Sequence, residues 1–362
     1  MNYFNTPYLL ALHSINGLGP RRLKAILDYF KDPKLAWEAD AQEFYKVGIP
    51  KNIIEILLQT RKTLEPESYA ESIQKSGIKW LTILDKNYPN LLKEIYDPPA
   101  VLYYKGEIND WNKSSIAVVG SRKISGYGKV VTAQFTQGLA NAGLTIVSGL
   151  ASGVDSQAHL SAVLQEGKTI AVLGGGLNRI FPYENRSLTE KITAGYGAVI
   201  SEFLPDASPL PGNFPVRNRI ISGLSLGVLV IEAAENSGSL ITAKLALEQG
   251  REVFAVPGPV TSNLSKGPVS LIREGAKAVF SPDEVLEELG VSSVNLGSKD
   301  QSKLKISEEE KRVLQSLENE NLHIDEIGRC LQLPSAKISV LLLKMEISGL
   351  VVSIGAGIYC KR

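Results

Sequence analysis

The middle of the chain alternates short, almost continuously apolar runs with amphipathic runs at the spacing of an α/β domain. The apolar runs predict strands at 101–106, 116–120, 144–148, 169–173, 198–201, 227–232 and 252–256. Strands that are apolar throughout are buried on both faces, as in a parallel sheet covered by helices. The pattern therefore predicts an α/β fold, with a Rossmann-like, doubly wound and mostly parallel sheet over residues 77–290.

Helical spacing replaces this pattern at both ends of the chain. Residues 1–70 predict a small helical domain, in which a helix lies on either side of Gly17-Leu18-Gly19. This arrangement resembles a helix-hairpin-helix (SAM-like) unit. Its hairpin either binds a DNA phosphate through backbone N–H groups, with Arg21 and Arg22 beside it, or has only a packing role in the fold. The polar, Gly/Ser-rich segment 291–303 predicts a linker. Three helices and a strand pair over 304–362 resemble a winged helix-turn-helix.

Composition narrows the class of protein. The formal net charge of the 362 residues is +1, so a nucleic-acid role must rest on a local patch and not on a global field. Two cysteines, Cys330 and Cys360, build neither a disulfide framework nor a four-ligand metal site, which fits a cytoplasmic protein. We expect neither a signal peptide nor a membrane span, since the chain has no apolar run of about 18 residues.

The sequence contains partial matches to catalytic and cofactor-binding motifs, but the elements and spacing around them do not fit those motifs. The G-x-S-x-G match at 223–227 precedes a strand instead of following one, and the turn at 120 lacks the G-x-G-x-x-G spacing of a dinucleotide site. The three histidines lie one in each segment, which argues against a metal site or a catalytic triad. Asp155 and His159 share one helix face. Either they form a functional pair, or Asp155 caps the helix and also serves as a partner for the imidazole of His159. We therefore expect no catalytic residues, no metal and no cofactor.

Glycine-rich turns at the ends of the predicted strands carry the most informative chemistry. The stretch 116-IAVVGSRKISGYG-128 places backbone N–H groups and a helix N-terminus around an anion. Similar turns follow the strands near 148, 173 and 231, and parallel strands bring such turns to one edge. Basic side chains interleaved with aromatic ones suit a nucleic-acid single strand. The predicted contact residues are Gly120, Ser121, Arg122, Lys123, Gly149, Gly176, Asn178, Arg179, Phe181, Arg217 and Arg219.

The same turns carry a family resemblance. The chain resembles the DNA-processing protein A family, also called the DprA or Smf family, most densely over residues 77–281. The motifs that carry the resemblance are VVGSRKISGYG, VSGLASGVDSQAH, AVLGGGLNRIFPYEN, SEF, PGNFPVRNRIISGLSLGVLVIEAAENSGSLITAKLALEQGREVFAVPG and LIREGA.

The resemblance implies a cytoplasmic, homodimeric bacterial protein that binds single-stranded DNA and is not an enzyme. It also implies protection of incoming DNA during natural transformation and a partnership with the RecA recombinase, which the protein helps to load. The DNA-contacting arginine of the family falls on Arg122, and its contacts in the third turn fall on Asn178 and Phe181. Some members have lysine where this chain has Asn178, and the neighbouring Arg179 is a candidate to compensate for that charge.

Two functions of other classes stay open. A Rossmann-like nucleotide or phosphoribosyl hydrolase would need a carboxylate at the crevice, for which Asp155, Glu184, Glu202 and Glu232 are candidates. A sequence-specific regulator would read bases with the third helix of the winged-helix domain, but that helix offers only two lysines and a largely apolar face.

Overall fold

A computed structural model describes residues 5–291, 307–318, 320–347, 350–355 and 357–361 of the chain. These residues group into two compact units, one within 1–294 and the other within 295–362. The predicted linker, 291–303, lies outside the described residues except for Val291.

Six helices open the first unit, as the helical spacing of residues 1–70 predicts. They are α1 (Thr6–His13), α2 (Pro20–Phe30), α3 (Pro33–Glu38), α4 (Ala41–Lys46), α5 (Lys51–Thr60) and α6 (Pro66–Lys75). The chain turns between α1 and α2 at Gly17, whose φ of +90° favours glycine. Arg22 donates to the carbonyl of Gly17 at 2.7 Å, and Arg21 lies 4.6 Å from the ring centre of Tyr96. Both arginines are thus engaged within the chain, which favours a packing role for the hairpin.

A nine-stranded sheet forms the centre of this unit. Its strands are β1 (Lys79–Thr82), β2 (Val101–Gly106), β3 (Ser115–Val119), β4 (Thr145–Ser148), β5 (Thr169–Val172), β6 (Gly197–Ser201), β7 (Gly227–Val230), β8 (Glu252–Ala255) and β9 (Lys277–Ala278). The spatial order is β1-β2-β6-β5-β4-β3-β7-β8-β9, in which β1–β2 and β2–β6 pair antiparallel and all other neighbours pair parallel. Every predicted strand is confirmed, and the order reverses between β3 and β7, where open α/β sheets bind their ligands.

Helices cover both faces of the sheet, so the doubly wound prediction is confirmed. They are α7 (Asn90–Lys93), α8 (Gly126–Asn141), α9 (Val154–Leu164), α10 (Arg186–Lys191), α11 (Asn213–Gly223), α12 (Gly238–Glu248), α13 (Lys266–Arg273) and α14 (Pro282–Glu288). Buried residues of α8, α9 and α14 pack on one face, and those of α7, α11, α12 and α13 pack on the other. Helix α8 begins earlier than the amphipathic run from Lys129 predicts, because Ser125 caps it by accepting from the Gly128 N–H.

The N-terminal helices share a core with the sheet. Leu9 and Leu10 of α1 are fully buried in one apolar cluster with Tyr103 of β2 and Val199 of β6. His13 lies in the same contact, with Nδ1 3.1 Å from the Tyr103 hydroxyl, and burial lowers the pKa of His13 to about 4. The boundary predicted near residues 70–77 is therefore crossed by a continuous core.

The second unit has the helices and the wing that the sequence predicts for a winged helix. Its elements are α15 (Glu308–Ser316), β10 (Leu322–His323), α16 (Ile324–Leu331), α17 (Ser335–Ile347), β11 (Val351–Gly355) and β12 (Ile358–Lys361). Ser307 and Glu310 form a capping box at the start of α15. The three strands form an antiparallel sheet in the order β10-β12-β11, in which β10 is an addition to the predicted pair. None of the helices in the described ranges is both long and apolar enough to cross a membrane.

Because the N-terminal helices share a core with the sheet, the stability of the sheet should depend on the packing of α1. Leu10→Ala, at a fully buried position, should lower the free energy of unfolding of the whole first unit by about 2–5 kcal/mol. The control Leu35→Ala, at a position 58% exposed, should change it by less than about 0.5 kcal/mol. Urea unfolding with hydrogen exchange at the amides of β6 measures both effects. Unchanged exchange at Val199 in Leu10→Ala would show that the helices are independent of the sheet.

Candidate nucleic-acid interface

The glycine-rich turns meet at one edge of the sheet. Strands β3, β4, β5 and β7 are parallel, so their carboxyl ends share that edge, and each is followed by one of the predicted turns. The turns after β3 and β7 are in direct contact, since the Ser121 N–H donates to the carbonyl of Glu232 at 2.7 Å. The prediction that the turns form a common edge is confirmed.

The anion at the start of α8 is a side chain of the protein itself. Glu232 is 3% exposed; one of its carboxylate oxygens accepts from the Ser125 N–H at 3.0 Å and the other from the Ser125 hydroxyl. A Cβ on Gly128 would lie 2.2 Å from Glu232 Oε2, so glycine is required for the carboxylate to fit. The position where a bound phosphate would meet this helix N-terminus is therefore filled.

A second internal carboxylate fills the turn after β4. Asp155 Oδ2 accepts from the N–H groups of Gly149 and Ala151, at 3.2 and 3.3 Å. Burial raises the pKa of Asp155, an effect that the guanidinium of Arg217 opposes. His159 does not bond to Asp155, because its Nδ1 lies 2.7 Å from Thr169 Oγ1, and burial lowers the pKa of His159 to about 3. The pair on the helix face is thus structural, with each side chain bound to its own partner.

Arg217 and Arg219 lie elsewhere than the sequence predicts. Both side chains are on α11 and only 4% exposed, because α11 is buried on all sides from Arg217 to Gly223. Arg217 donates to the carbonyls of Gly149, at 2.6 Å, and Val172, and burial lowers the pKa of Arg217 to about 10.

The guanidinium of Arg219 is held by two carboxylates. Its Nη1 donates to Glu202 Oε1 at 2.8 Å, its Nη2 bonds the other oxygen of Glu202, and its Nε lies 3.1 Å from Asp97 Oδ2. Because both guanidiniums are buried and bonded to groups of the protein, Arg217 and Arg219 hold the turns in position and are not exposed to a ligand.

The other predicted contact residues divide into a buried and an exposed layer. Ser121, Gly149 and Gly176 are buried and Gly120 is half-buried, so they form the frame beneath the surface. The exposed residues are Arg122, Lys123, Asn178, Arg179 and Phe181. Phe181 is 50% exposed, which rules out a ring enclosed in the core.

Phe214 joins the exposed residues of two turns, and our sequence reasoning missed it. The guanidinium carbon of Arg122 lies 5.4 Å from the ring centre of Phe214, which is cation–π distance. The Phe181 ring centre lies 5.9 Å from that of Phe214, with the ring planes at 54°. Phe214 lies in the stretch 212-GNFPVRNRIISG-223, from which we predicted only the arginines as contact residues.

The side chain of Asn178 lies between a cation and a carboxylate. Its amide oxygen accepts from Lys105 Nζ at 3.3 Å, and its amide nitrogen donates to Asp206 Oδ1 at 3.0 Å. The charge next to Asn178 is thus supplied by Lys105 of β2, a residue 73 positions away that the sequence did not single out. Arg179 is exposed beside it.

Within the described ranges, no group of three or more His, Cys, Asp or Glu residues is placed to hold a metal ion.

The chain matches two protein-family models. Residues 79–290 match "DNA recombination-mediator protein A", and residues 298–357 match "DprA winged helix domain". Protein Smf of Synechocystis sp. is 35% identical over 381 residues, which cover 95% of this chain and 96% of that protein.

Two solved structures are also similar. The X-ray structure of DNA processing protein A from Streptococcus pneumoniae shares 39% identity at a TM-score of 0.71, covering 78% of this chain and 97% of that one. A structure of DNA processing protein A from Helicobacter pylori, which concerns the single-stranded DNA binding mode of that protein, shares 31% identity at a TM-score of 0.53. It covers 59% of this chain and 95% of that one.

The filled anion position gives a prediction that does not depend on any ligand of the native protein. Glu232→Ala leaves the N–H and hydroxyl of Ser125 without their carboxylate, so it should lower the free energy of unfolding by about 1–3 kcal/mol. Orthophosphate should then raise the melting temperature of Glu232→Ala more than that of the wild type, because it can occupy the vacated position. Thermal melts with and without phosphate measure both effects. An equal phosphate effect in the two proteins would contradict the internal-anion interpretation.

Proposed function

The chain belongs to the DNA recombination-mediator protein A (DprA/Smf) family, and from that premise we propose that it binds single-stranded DNA along the exposed edge formed by Arg122, Phe214 and Phe181. The observation that carries the proposal is the contact of one aromatic ring, Phe214, with both the exposed guanidinium of Arg122 and the exposed ring of Phe181. A phosphate and its neighbouring base need a cation and a ring at such close spacing.

The charges at this edge are available to a ligand. Among the ion pairs of the described residues, none involves Arg122, Lys123 or Arg179. An unpaired surface cation gives up only its hydration when it meets a phosphate, and it releases a counterion from the DNA. A flexible single strand can follow such an edge and place bases on exposed rings, which a stacked duplex cannot do.

Two internal carboxylates argue against a nucleotide-hydrolysing enzyme. Glu232 and Asp155 occupy the glycine turns that would hold the phosphates of a nucleotide, and both are bonded within the protein. Of the other candidate acids, Glu202 is paired with Arg219 and Glu184 accepts from the Ser152 hydroxyl at 3.1 Å. We propose that the protein is not an enzyme.

The winged-helix unit is also a poor reader of base sequence. The two lysines of α17 are both in ion pairs, Lys337 with Glu309 and Lys344 with Glu310 at 3.0 Å. A recognition helix needs free polar side chains at the base edges. The regulator function is therefore not favoured by this geometry.

Beyond DNA binding, we propose the role that family membership suggests. The protein would act in the cytoplasm as a homodimer that protects incoming single strands during natural transformation and helps to load the RecA recombinase. The match to a recombination-mediator family model supports this part of the proposal. Two free cysteines, Cys330 and Cys360, are in keeping with a reducing compartment.

The first prediction of this proposal concerns the form of DNA. The full chain should bind an oligonucleotide more tightly as a single strand than as a duplex, and its affinity should fall steeply with salt because several phosphates are neutralised. Fluorescence anisotropy with the two forms at two salt concentrations measures this preference. Equal affinities for the two forms would contradict it.

The second prediction separates the roles of Arg122 and Phe181. Arg122→Ala should weaken binding to all sequences and reduce the slope of log K against log salt by about 0.7, one counterion's share for a single strand. Phe181→Ala should cost about 1–3 kcal/mol of binding free energy with the slope unchanged, because a stacking ring carries no charge.

Matched controls lie away from the turns. Lys113→Ala removes an exposed cation before β3, at the opposite edge of the sheet, and Tyr45→Ala removes a ring that is 45% exposed on α4. Neither should change affinity, and thermal melts should show that all four variants are folded. A folded Arg122→Ala that binds like the wild type would place the DNA site elsewhere.

A further inference from the structure

A groove lies behind the turn that carries Asn178 and Phe181, on the side of β2. Its volume is about 540 Å³, within the range of roughly 300–1,000 Å³ that is typical of small-molecule sites. The residues that matter to its chemistry are Lys105, Arg179, Ile180, Tyr183, Arg186 and Glu190. None of the internal carboxylates that fill the neighbouring turns lines this groove.

The groove carries an excess of positive charge. Three cations, Lys105, Arg179 and Arg186, face a single carboxylate, Glu190, which lies 3.5 Å from Arg186 Nε. Among the described residues, the hydrogen bond found for the Lys105 ammonium is with the neutral amide of Asn178. Lys105 is also half-buried, and a half-buried cation without a carboxylate is stabilised by an incoming anion more than a fully exposed one.

One wall of the groove offers a surface for a base. Tyr183 is 74% exposed, and no hydrogen bond of its hydroxyl is found among the described residues. Ile180 beside it is half-buried and apolar. A base that leaves water can therefore stack on Tyr183 while its phosphate lies between the cations.

The groove is adjacent to the edge proposed above for the DNA strand. Arg179 lines the groove, and Phe181, two residues further along the same turn, contacts Phe214 beneath Arg122. A strand that lies on Arg122 and Phe181 therefore needs only to pass over this turn to enter the groove.

We propose that this groove is a second subsite for the same single strand, in which Lys105 and Arg186 bind a phosphate and Tyr183 stacks with the neighbouring base. The inference rests on the proposed function, because it extends the strand that Arg122 and Phe181 hold. It assigns to β2, a strand outside the glycine turns, the task of supplying a cation to the DNA path. It also gives the 3.3 Å contact between Lys105 and Asn178 a function, since that contact keeps the ammonium beside the groove.

Oligonucleotide length tests the inference. Competition binding uses oligothymidylates of about 4 and about 16 nucleotides, the range over which single-strand sites extend. Lys105→Gln should weaken binding of the longer strand roughly tenfold and reduce its salt slope by about 0.7, while the short strand, which fills only the edge at Arg122, is bound as by the wild type. Tyr183→Ala should weaken only the longer strand with no change of slope, and Tyr183→Phe should bind like the wild type.

The control variants separate this inference from the proposed function. Lys113→Gln removes the same charge at the opposite edge of the sheet and should leave both lengths unaffected. Arg122→Ala should weaken both lengths. If it does so while Lys105→Gln binds both lengths like the wild type, the second subsite is wrong and the proposed function stands. Equal weakening of both lengths by Lys105→Gln would likewise overturn the second subsite, since Lys105 would then act at the first site through Asn178. If Arg122→Ala is also without effect, the proposed function itself fails.

Discussion

Two buried guanidiniums on α11 hold the functional edge of this protein together. Arg217 bonds the carbonyls at the ends of β4 and β5, and Arg219 joins Glu202, at the end of β6, to Asp97, ahead of β2. A buried charge that lost its partners would be strongly destabilising, so each arginine fixes the loops that it contacts. The turns after three neighbouring strands, β4, β5 and β6, and the segment before β2 thus depend on one helix, and the exposed residues on those turns inherit their positions from it.

Because the same edge also holds two internal carboxylates, its chemistry differs from that of a nucleotide-binding sheet. Parallel strands and glycine turns ordinarily direct N–H groups at a ligand phosphate. Here Glu232 and Asp155 accept those bonds from within. The N–H groups of the turns therefore contribute to stability, and the charge that remains for a ligand is carried by exposed side chains of the turns, such as Arg122 and Arg179. Side-chain cations spread along an edge suit a polymer of phosphates better than a single compact nucleotide.

Much of the fold follows from the sequence, whereas the roles of individual charged residues do not. Continuous apolar runs located the strands of the sheet because a strand buried on both faces has no other pattern. The buried state of Arg217 could not be derived in the same way, since it depends on carbonyls at residues 149 and 172 that only the folded sheet brings near. Lys105 was missed for a similar reason: it meets Asn178 only because β2 joins the sheet antiparallel to β6. The aromatic Phe214 was visible in a motif, but its contact with Arg122 required a helix start and a turn to converge.

The near-neutral composition and the local charge of the edge fit together physically. With a formal net charge of +1, the protein has no long-range field that would hold it on every duplex in the cell. On the proposed DNA path, exposed cations lie beside exposed rings, and both can be contacted together only by a chain whose bases are free to turn outward. In the proposed mode of binding, preference for a single strand requires no reading of sequence, because a duplex could offer its phosphates to Arg122 but could not offer its stacked bases to Phe181. Selectivity of this kind depends on the spacing of cation and ring, and that spacing is set by Phe214, which the buried frame of α11 holds in place.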